Sequence, residues 1–267
     1  MVKPRGKKQQ HTVAIQARLP QSPSSTRNRL QRWPEISNKM GRLAMQELVS
    51  GHVFIINNFL TPQECHSLIR YAETNLGFPP VPAKVVPKRG EAFRNNSRIS
   101  VSDPQYAEHM WSESGLGHLL KECGWATLDD RMPVGLNDNI RLYRYGPGQR
   151  FGRHYDDHAF DTKKRRTEYT LLIYLNNIGE DGPAIGGDGD ASNSSQERPM
   201  TRAGAKSNGG ETVFYLTNPK SQVSVTPMAG KALLHKHGSD CILHESMPVL
   251  KGYKYLFRSD VVFDKPA

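Results

Sequence analysis

A chain of 267 residues with 36% hydrophobic content and a mean hydropathy of −0.63 can bury a substantial core while carrying some non-globular sequence. Its longest apolar runs, such as HVFII and LLIYL, have strand length, which excludes a helical membrane span of about 20 apolar residues, and the N-terminus shows no apolar signal-peptide core. The net charge of +10 points to nucleic acid until its distribution is read: residues 1–45 hold ten basic side chains and one acid, Glu35, so the remaining chain is close to neutral.

The basic stretch, with Arg27, Arg29, Arg32, Lys39 and Arg42 among its charges, is expected to be a disordered tail covering residues 1–50. It could touch nucleic acid or an acidic partner, or act as an import address, or serve as an Arg/Ser-rich transit segment. The expected location is therefore intracellular, in cytoplasm or nucleus, with an organelle as the alternative. Three cysteines (Cys65, Cys123 and Cys241) without CxxC spacing argue for a reducing compartment and against a disulfide framework or zinc ribbon.

A folded domain is expected over 51–267. Val53, Ile55 and Ile56 open a buried strand, and Thr61 caps a helix with Pro62 in its first turn and Glu64 at the third position. Leu68, Ile69 and Ala72 give that helix an apolar stripe, and Gly77 ends it. Asp103-Pro104 opens a second helical stretch, interrupted near Gly115. The segment 92–103 reads as a polar surface loop. From Asn137 onward NIRLYRYG, EYTLLIYLNN, GETVFYL, QVSVTP, KALLHKH, DCILHE and YKYLFRSDVVF succeed one another with turn residues between them. Short strands at such spacing predict a mainly β fold with N-terminal helices (α+β), a jelly roll with its core at about 137–267. Residues 179–210, rich in Gly, Ser and Asp, read as a disordered insertion; their GEDG…GGDGD lacks the spacing and terminal Glu of an EF-hand.

The chemistry concentrates in RYGPGQRFGRHYDDH, residues 144–158. His154 and Asp156 are two residues apart, so in extended backbone their side chains share a face and can meet one ion. A third ligand must come from a distant strand, and His244 is the best candidate. Two histidines and one carboxylate form the facial triad of non-haem Fe(II) oxygenases, though zinc or manganese satisfies the same ligands. Lys254 lies ten residues beyond His244, where a cation could receive the far end of a dicarboxylate; an ordinary exposed strand lysine is the bland alternative. Arg258 shares the parity of Lys254. Asp157 and His158 read as polar rim, His235 and His237 as rim or packing residues, and Cys241 as a small buried hydrophobe.

Taken together, RYGPGQRFGRHYDD, YTLLIYLN, GGETVFY and VTPMAGKALLHKH…LHESMPVLKGYK resemble, in that order, blocks of the Fe(II)/2-oxoglutarate-dependent dioxygenases, specifically their prolyl 4-hydroxylase-like branch. The resemblance spans 144–258, with weaker similarity back to about residue 51, and implies a double-stranded β-helix flanked by helices. It implies Fe(II) on His154, Asp156 and His244, and 2-oxoglutarate with Lys254 on its distal carboxylate. Tyr145 and Tyr174 match positions whose hydroxyls reach the co-substrate; Thr170 and Leu172 share a strand face with Tyr174, and Arg258 could join them. The implied activity is that of an oxidoreductase that decarboxylates 2-oxoglutarate with O2 and hydroxylates a C–H bond, on a protein or peptide, with ascorbate keeping the iron reduced.

The substrate half departs from the branch. Thr167 stands where an arginine is usual, beside Arg166, and Asp260 where a tryptophan is usual, which puts prolyl specificity in doubt. Arg94, Asn95, Asn96 and Arg98 could contact substrate, as could Arg166 and Asp260. Two further readings stay open. An AlkB-type nucleic-acid demethylase would suit the basic tail, but Tyr143 holds the place of its asparagine and its C-terminal arginine pair is missing. A non-catalytic jelly-roll module would be expected to have lost a ligand or the cation, and all four are present.

Overall fold

The period-two alternation of the strands decides the architecture. In the computed structural model, which describes residues 32–82, 85–125, 131–179, 208–217 and 221–264, Tyr169, Leu171 and Ile173 face one side of their strand while Thr170, Leu172 and Tyr174 face the other, and all six are buried. A strand buried on both faces must sit between two layers. The first layer is built from β1 (Met45–Val49), β2 (Val53–Ile56), β3 (Ser97–Ser102), β4 (Pro133–Leu136), β5 (Asn139–Tyr145), β7 (Arg166–Tyr174), β10 (Ala232–Lys236) and β12 (Lys254–Phe263). They form one antiparallel sheet in the order β1-β2-β10-β7-β12-β5-β3, with β4 also paired to β12. The second is a four-stranded antiparallel sheet, ordered β6 (Phe151–His154), β11 (His244–Ser246), β8 (Thr212–Tyr215) and β9 (Gln222–Val225). This is the expected jelly roll.

Helices cover the outer face of the large sheet. Helix α1 (Pro62–Tyr71) starts as its sequence requires: Thr61 Oγ1 accepts from the Glu64 amide at 3.2 Å, and Glu64 Oε2 accepts from the Thr61 amide at 2.7 Å. It runs on into a π-helical turn, Ala72–Leu76, and stops at Gly77. Helices α2 (Pro104–Glu113) and α3 (Leu116–Glu122) are separated at Gly115, which takes a left-handed φ of 81°. Their apolar stripes pack with Phe54, Ile56, Leu171, Ile173, Phe257 and Val261 into the larger core. The opposite face of the same strands supplies Val53, Ile55, Tyr143, Tyr145, Leu172, Tyr174, Leu233 and Leu256, which meet Phe214 and Val225 of the small sheet. The functional side chains lie on this inner face.

Three expectations change. The expected tail spans 1–50, but the compact unit starts at Trp33. Trp33 stacks on Tyr106 with centroids 4.5 Å apart, Ile36 is buried, Lys39 pairs with buried Glu64 at 2.9 Å, and 45–49 form edge strand β1. A basic, polar stretch hides such anchoring because only a few of its residues make the contacts. Segment 92–103 is not simply a loop: β3 pairs with β5 along its length. The end of the expected insertion is anchored as well, with Gly209 bridged to Val249 and the Gly210 amide donating to Pro248 O at 2.9 Å. The remainder of the expected tail, 1–31, and of the insertion, 180–207, lies outside the described residues.

Candidate metal and co-substrate site

His154 ends β6 and His244 begins β11, and the two are direct cross-strand partners. Each ring is fixed by its own short loop of chain: His154 Nδ1 lies 2.8 Å from Gly152 O, and His244 Nδ1 lies 2.8 Å from Ile242 O. A carbonyl only accepts, so each Nδ1 carries the proton and each Nε2 keeps its lone pair. Those lone pairs turn toward Asp156, with Nε2 of His154 3.6 Å and Nε2 of His244 3.9 Å from its carboxylate oxygens. Asp156 lies just past the end of β6, two residues beyond His154 as the spacing requires.

The charge states suit ligation. Burial, then the neighbouring His244, pulls His154 down to about 4, and burial lowers His244 too, so both imidazoles are neutral at physiological pH. Burial alone would raise the Asp156 carboxyl, but the Arg258 guanidinium overrules it and holds the group well below the usual carboxylate range. Arg258 Nη2 approaches Asp156 Oδ2 at 3.1 Å, and Thr170 Oγ1 donates to the same oxygen at 2.9 Å. Two neutral nitrogens and an ionised carboxylate on one spot are a complete donor set for a divalent metal, and the buried partners that orient them are of the kind such sites need. The residues present therefore fit Fe(II).

One cavity lined by His154, Asp156 and His244 reaches Lys254 at its other side. Lys254 is fully buried, and its Nζ donates to Gly210 O at 2.6 Å and Ser246 Oγ at 2.7 Å, both neutral acceptors. Burial pulls its ammonium down to about 7. The Tyr145 and Tyr174 rings stand 5.1 and 5.8 Å from Nζ, and the Tyr174 hydroxyl donates to Thr212 Oγ1 at 2.7 Å. Leu172 lines the wall between these polar ends, as its strand parity predicts. A desolvated cation, hydroxyls nearby and an apolar waist suit a short dicarboxylate.

A wider groove opens from His154 and Asp156 to solvent, lined by Arg94, Asn96 and Arg98 as expected, and by Glu91, Tyr155 and Asp157. The Arg94 guanidinium lies over the Tyr143 and Phe151 rings at 4.5 and 4.4 Å, which places it where cavity meets groove. Asn95 instead accepts from the Arg150 amide at 2.8 Å. Arg166 and Asp260 line neither opening: Arg166 is held by Glu168 at 2.6 Å, and Asp260 is buried behind Arg258, paired with it at 3.3 Å and with Arg141 at 3.4 Å. Their position on strands β7 and β12 was legible, but not that ion pairs would consume them.

Other residues of the cavity wall escaped the sequence. Phe151, whose ring stacks on His154 at 3.6 Å, Ser246, Thr212 and Tyr143 all face inward, and strand parity with His244, Lys254 and Tyr145 could have found several of them. His235 corrects a stated expectation: it is neither rim nor packing filler, but a fully buried part of the cavity wall. His237 does pack, bonding Thr167 and Thr170. Cys241 is buried as expected, with its sulfur accepting from the Asp156 amide at 3.2 Å.

A jelly roll with a two-histidine, one-carboxylate cluster and a buried cation in one cavity defines a class of metal-dependent oxygenase. Residues 140–259, the part of the chain that carries the cluster and Lys254, match the model of the 2OG-Fe(II) oxygenase superfamily, whose domains are oxidoreductases that use Fe(II), 2-oxoglutarate and O2. The chain's sequence is 24% identical over 226 residues to prolyl 4-hydroxylase 13 of Arabidopsis thaliana, covering 76% of this chain and 68% of that protein. A prolyl-4-hydroxylase structure from Pseudomonas putida is similar at 15% identity, covering 80% of this chain and 94% of the other with a TM-score of 0.49. The viral collagen prolyl hydroxylase of Paramecium Bursaria Chlorella virus-1 aligns at 19% identity over 80% and 97% of the two chains, also with a TM-score of 0.49.

Proposed function

We propose that His154, Asp156 and His244 hold the Fe(II), that Lys254 receives the distal carboxylate of 2-oxoglutarate, and that a protein or peptide side chain enters by the Arg94–Arg98 groove to be hydroxylated. One observation carries this reading: a single cavity presents two Nε2 lone pairs and an ionised carboxylate at one end and, at the other, a buried ammonium hydrogen-bonded among the described residues to a carbonyl and a hydroxyl.

Iron with 2-oxoglutarate and O2 supplies the oxidising power, converting a C–H bond to C–OH as the co-substrate becomes succinate and CO2. The chain's own residues do the rest. Lys254 neutralises the distal carboxylate away from water, with Ser246 and Gly210 aiming its Nζ. Arg258 and Thr170 hold the Asp156 carboxylate in one orientation. Leu172 and Leu256 exclude water between the two ends. Arg94 and its neighbours position the incoming chain, and we expect ascorbate to serve as the reductant that maintains ferrous iron.

The test is anaerobic titration of Fe(II) and 2-oxoglutarate, watching for the weak metal-to-ligand charge-transfer absorption in the visible. The band is expected in the wild type, absent in His244→Ala, and shifted to much higher 2-oxoglutarate concentration in Lys254→Ala. A folded, iron-loaded protein without the band would refute the assignment. Succinate release stimulated by peptide libraries would then identify the substrate residue.

A further inference from the structure

His235 is 1% exposed, and neither of its ring nitrogens has a hydrogen-bond partner among the described residues. It is the one side chain with two such atoms among the described residues. Native interiors satisfy their buried polar groups, so an imidazole kept in this state implies a partner that the described residues do not provide. The ring is held by β10, where strand parity with Leu233 turns it into the cavity, against Phe214 at 5.4 Å and His244 at 4.5 Å between centroids.

Two protein groups come near without filling the role. Asp156 Oδ2 is 3.6 Å from His235 Nε2, beyond hydrogen-bond reach, and that oxygen is already taken by Thr170 and Arg258. Cys241 and His244 could join His235 as a buried cluster for a thiophilic ion. However, Cys241 approaches His244 on its Nδ1 side, at 3.9 Å, and that nitrogen spends its proton on Ile242 O. On the side that faces Cys241, His244 therefore offers no lone pair, whereas His235 itself lines the cavity that holds the proposed metal ligands.

We infer that His235 donates an N–H hydrogen bond to an oxygen at the metal-chelating end of bound 2-oxoglutarate, making it a further protein contact of that site and a positioning residue for the co-substrate. This rests on the reading of His154, Asp156 and His244 as metal ligands. The donor would fix the rotation of the chelating end about the metal while Lys254 fixes its far end, so that two points define its pose.

The experiment uses the full chain loaded with Zn(II) as a redox-silent stand-in. Calorimetry first checks Zn(II) binding in wild type and its loss in His244→Ala; failure there sinks the metal-ligand reading and is distinguishable from failure of the His235 contact, which is read only in zinc-loaded protein. With zinc bound, His235→Phe, which keeps a ring against Phe214 and removes the donor, is expected to raise the Kd for 2-oxoglutarate at least ~10-fold, the scale on which outer-shell partners act. His235→Gln, which keeps an N–H, should recover most of the loss. Melting of the ligand-free His235→Phe protein should be unchanged or higher, since an orphaned polar group is gone. An unchanged Kd in folded His235→Phe overturns the inference. Should that variant not fold, proton NMR of 15N-histidine-labelled wild type decides: a slowly exchanging downfield ring N–H is expected to appear on adding 2-oxoglutarate to the zinc protein. No new signal, or one already complete with zinc alone, overturns it equally.

Discussion

Lys254 is a fully buried ammonium whose hydrogen bonds go to a carbonyl and a hydroxyl, and this environment governs its titration. In the unfolded chain a lysine keeps its proton to about pH 10.4; in the folded, ligand-free chain burial brings this to about 7. Between those values the unfolded state binds more protons, so this group's contribution to stability rises with pH across the window and is most unfavourable below 7. A dicarboxylate reverses the balance by favouring the charged form. Binding of 2-oxoglutarate should therefore take up a proton above neutrality, and affinity should fall by up to ~10-fold per pH unit above about 7. Calorimetry in two buffers of different ionisation enthalpy measures the uptake directly. Lys254→Met should stabilise the free protein and remove the pH dependence together with the binding. Arg258 behaves oppositely: Arg258→Met would leave Asp156 as a buried carboxylate without its cation and Asp260 with Arg141 alone, with an expected loss on the order of 3 kcal/mol by urea denaturation. Added zinc should restore part of it by replacing the lost positive charge beside Asp156.

Among the elements, the long central strands were the most legible. β7 and β12 declare themselves by alternation, because both faces are buried but by different chemistry: apolar toward the helices, mixed toward the cavity. Helix α1 was legible from its Thr61–Glu64 capping box. The weak strands were not. β4 is PVGL, in which proline and glycine mask an extended segment added beside β12, and β1 is a half-exposed edge with no clean period. Of DCILHE only His244 and Glu245 are strand, within β11; Gly238–Asp240 form a 3-10 turn, so His244 stands at a strand start and its aim depends on the loop before it. The turn feeding β10, which carries His235, hangs on Gly230. Its φ is +79°, its carbonyl accepts from the Leu60 amide at 3.1 Å, and a Cβ there would lie 1.9 Å from Leu60 O. Gly230→Ala should cost about 2–4 kcal/mol in a denaturant titration, through both the left-handed backbone and the clash.

Across the whole molecule, charge misled where pattern did not. The sequence concentrates the positive excess in one appendage, yet Lys39 from that stretch is a buried structural cation held by Glu64. Burial raises the Glu64 carboxyl, but hydrogen bonds from Ser37, Thr61 and Lys39 outweigh it and bring it down to about 2. A depressed acid stabilises the fold above its ordinary value of 4.5, and that contribution fades as pH falls from there toward 2. Lys39→Met should lower stability by ~3 kcal/mol at pH 7, with a smaller difference from wild type as the solution is acidified, since protonated Glu64 no longer needs a cation. The metal triad and Lys254 were readable because spacing and parity fix them. The groove was legible only in part: Arg94, Asn96 and Arg98 were anticipated, whereas Gly90, Glu91 and Ala92 come from irregular chain before β3, where no period exists to read.

The opposition of His154 and His244 across the shortest pairing of the small sheet bears on how that sheet opens. β11 has three residues and its ladder to β6 is irregular, so little backbone bonding resists local fraying. An ion shared by the two rings adds a rung, and opening then requires release of the ion first. By mass action, amide exchange at Glu245 through that opening should slow about 100-fold when free zinc stands at 100 times its Kd, while exchange in β7 and β12 stays the same. Metal supply would then set the protease sensitivity and lifetime of one half of the fold.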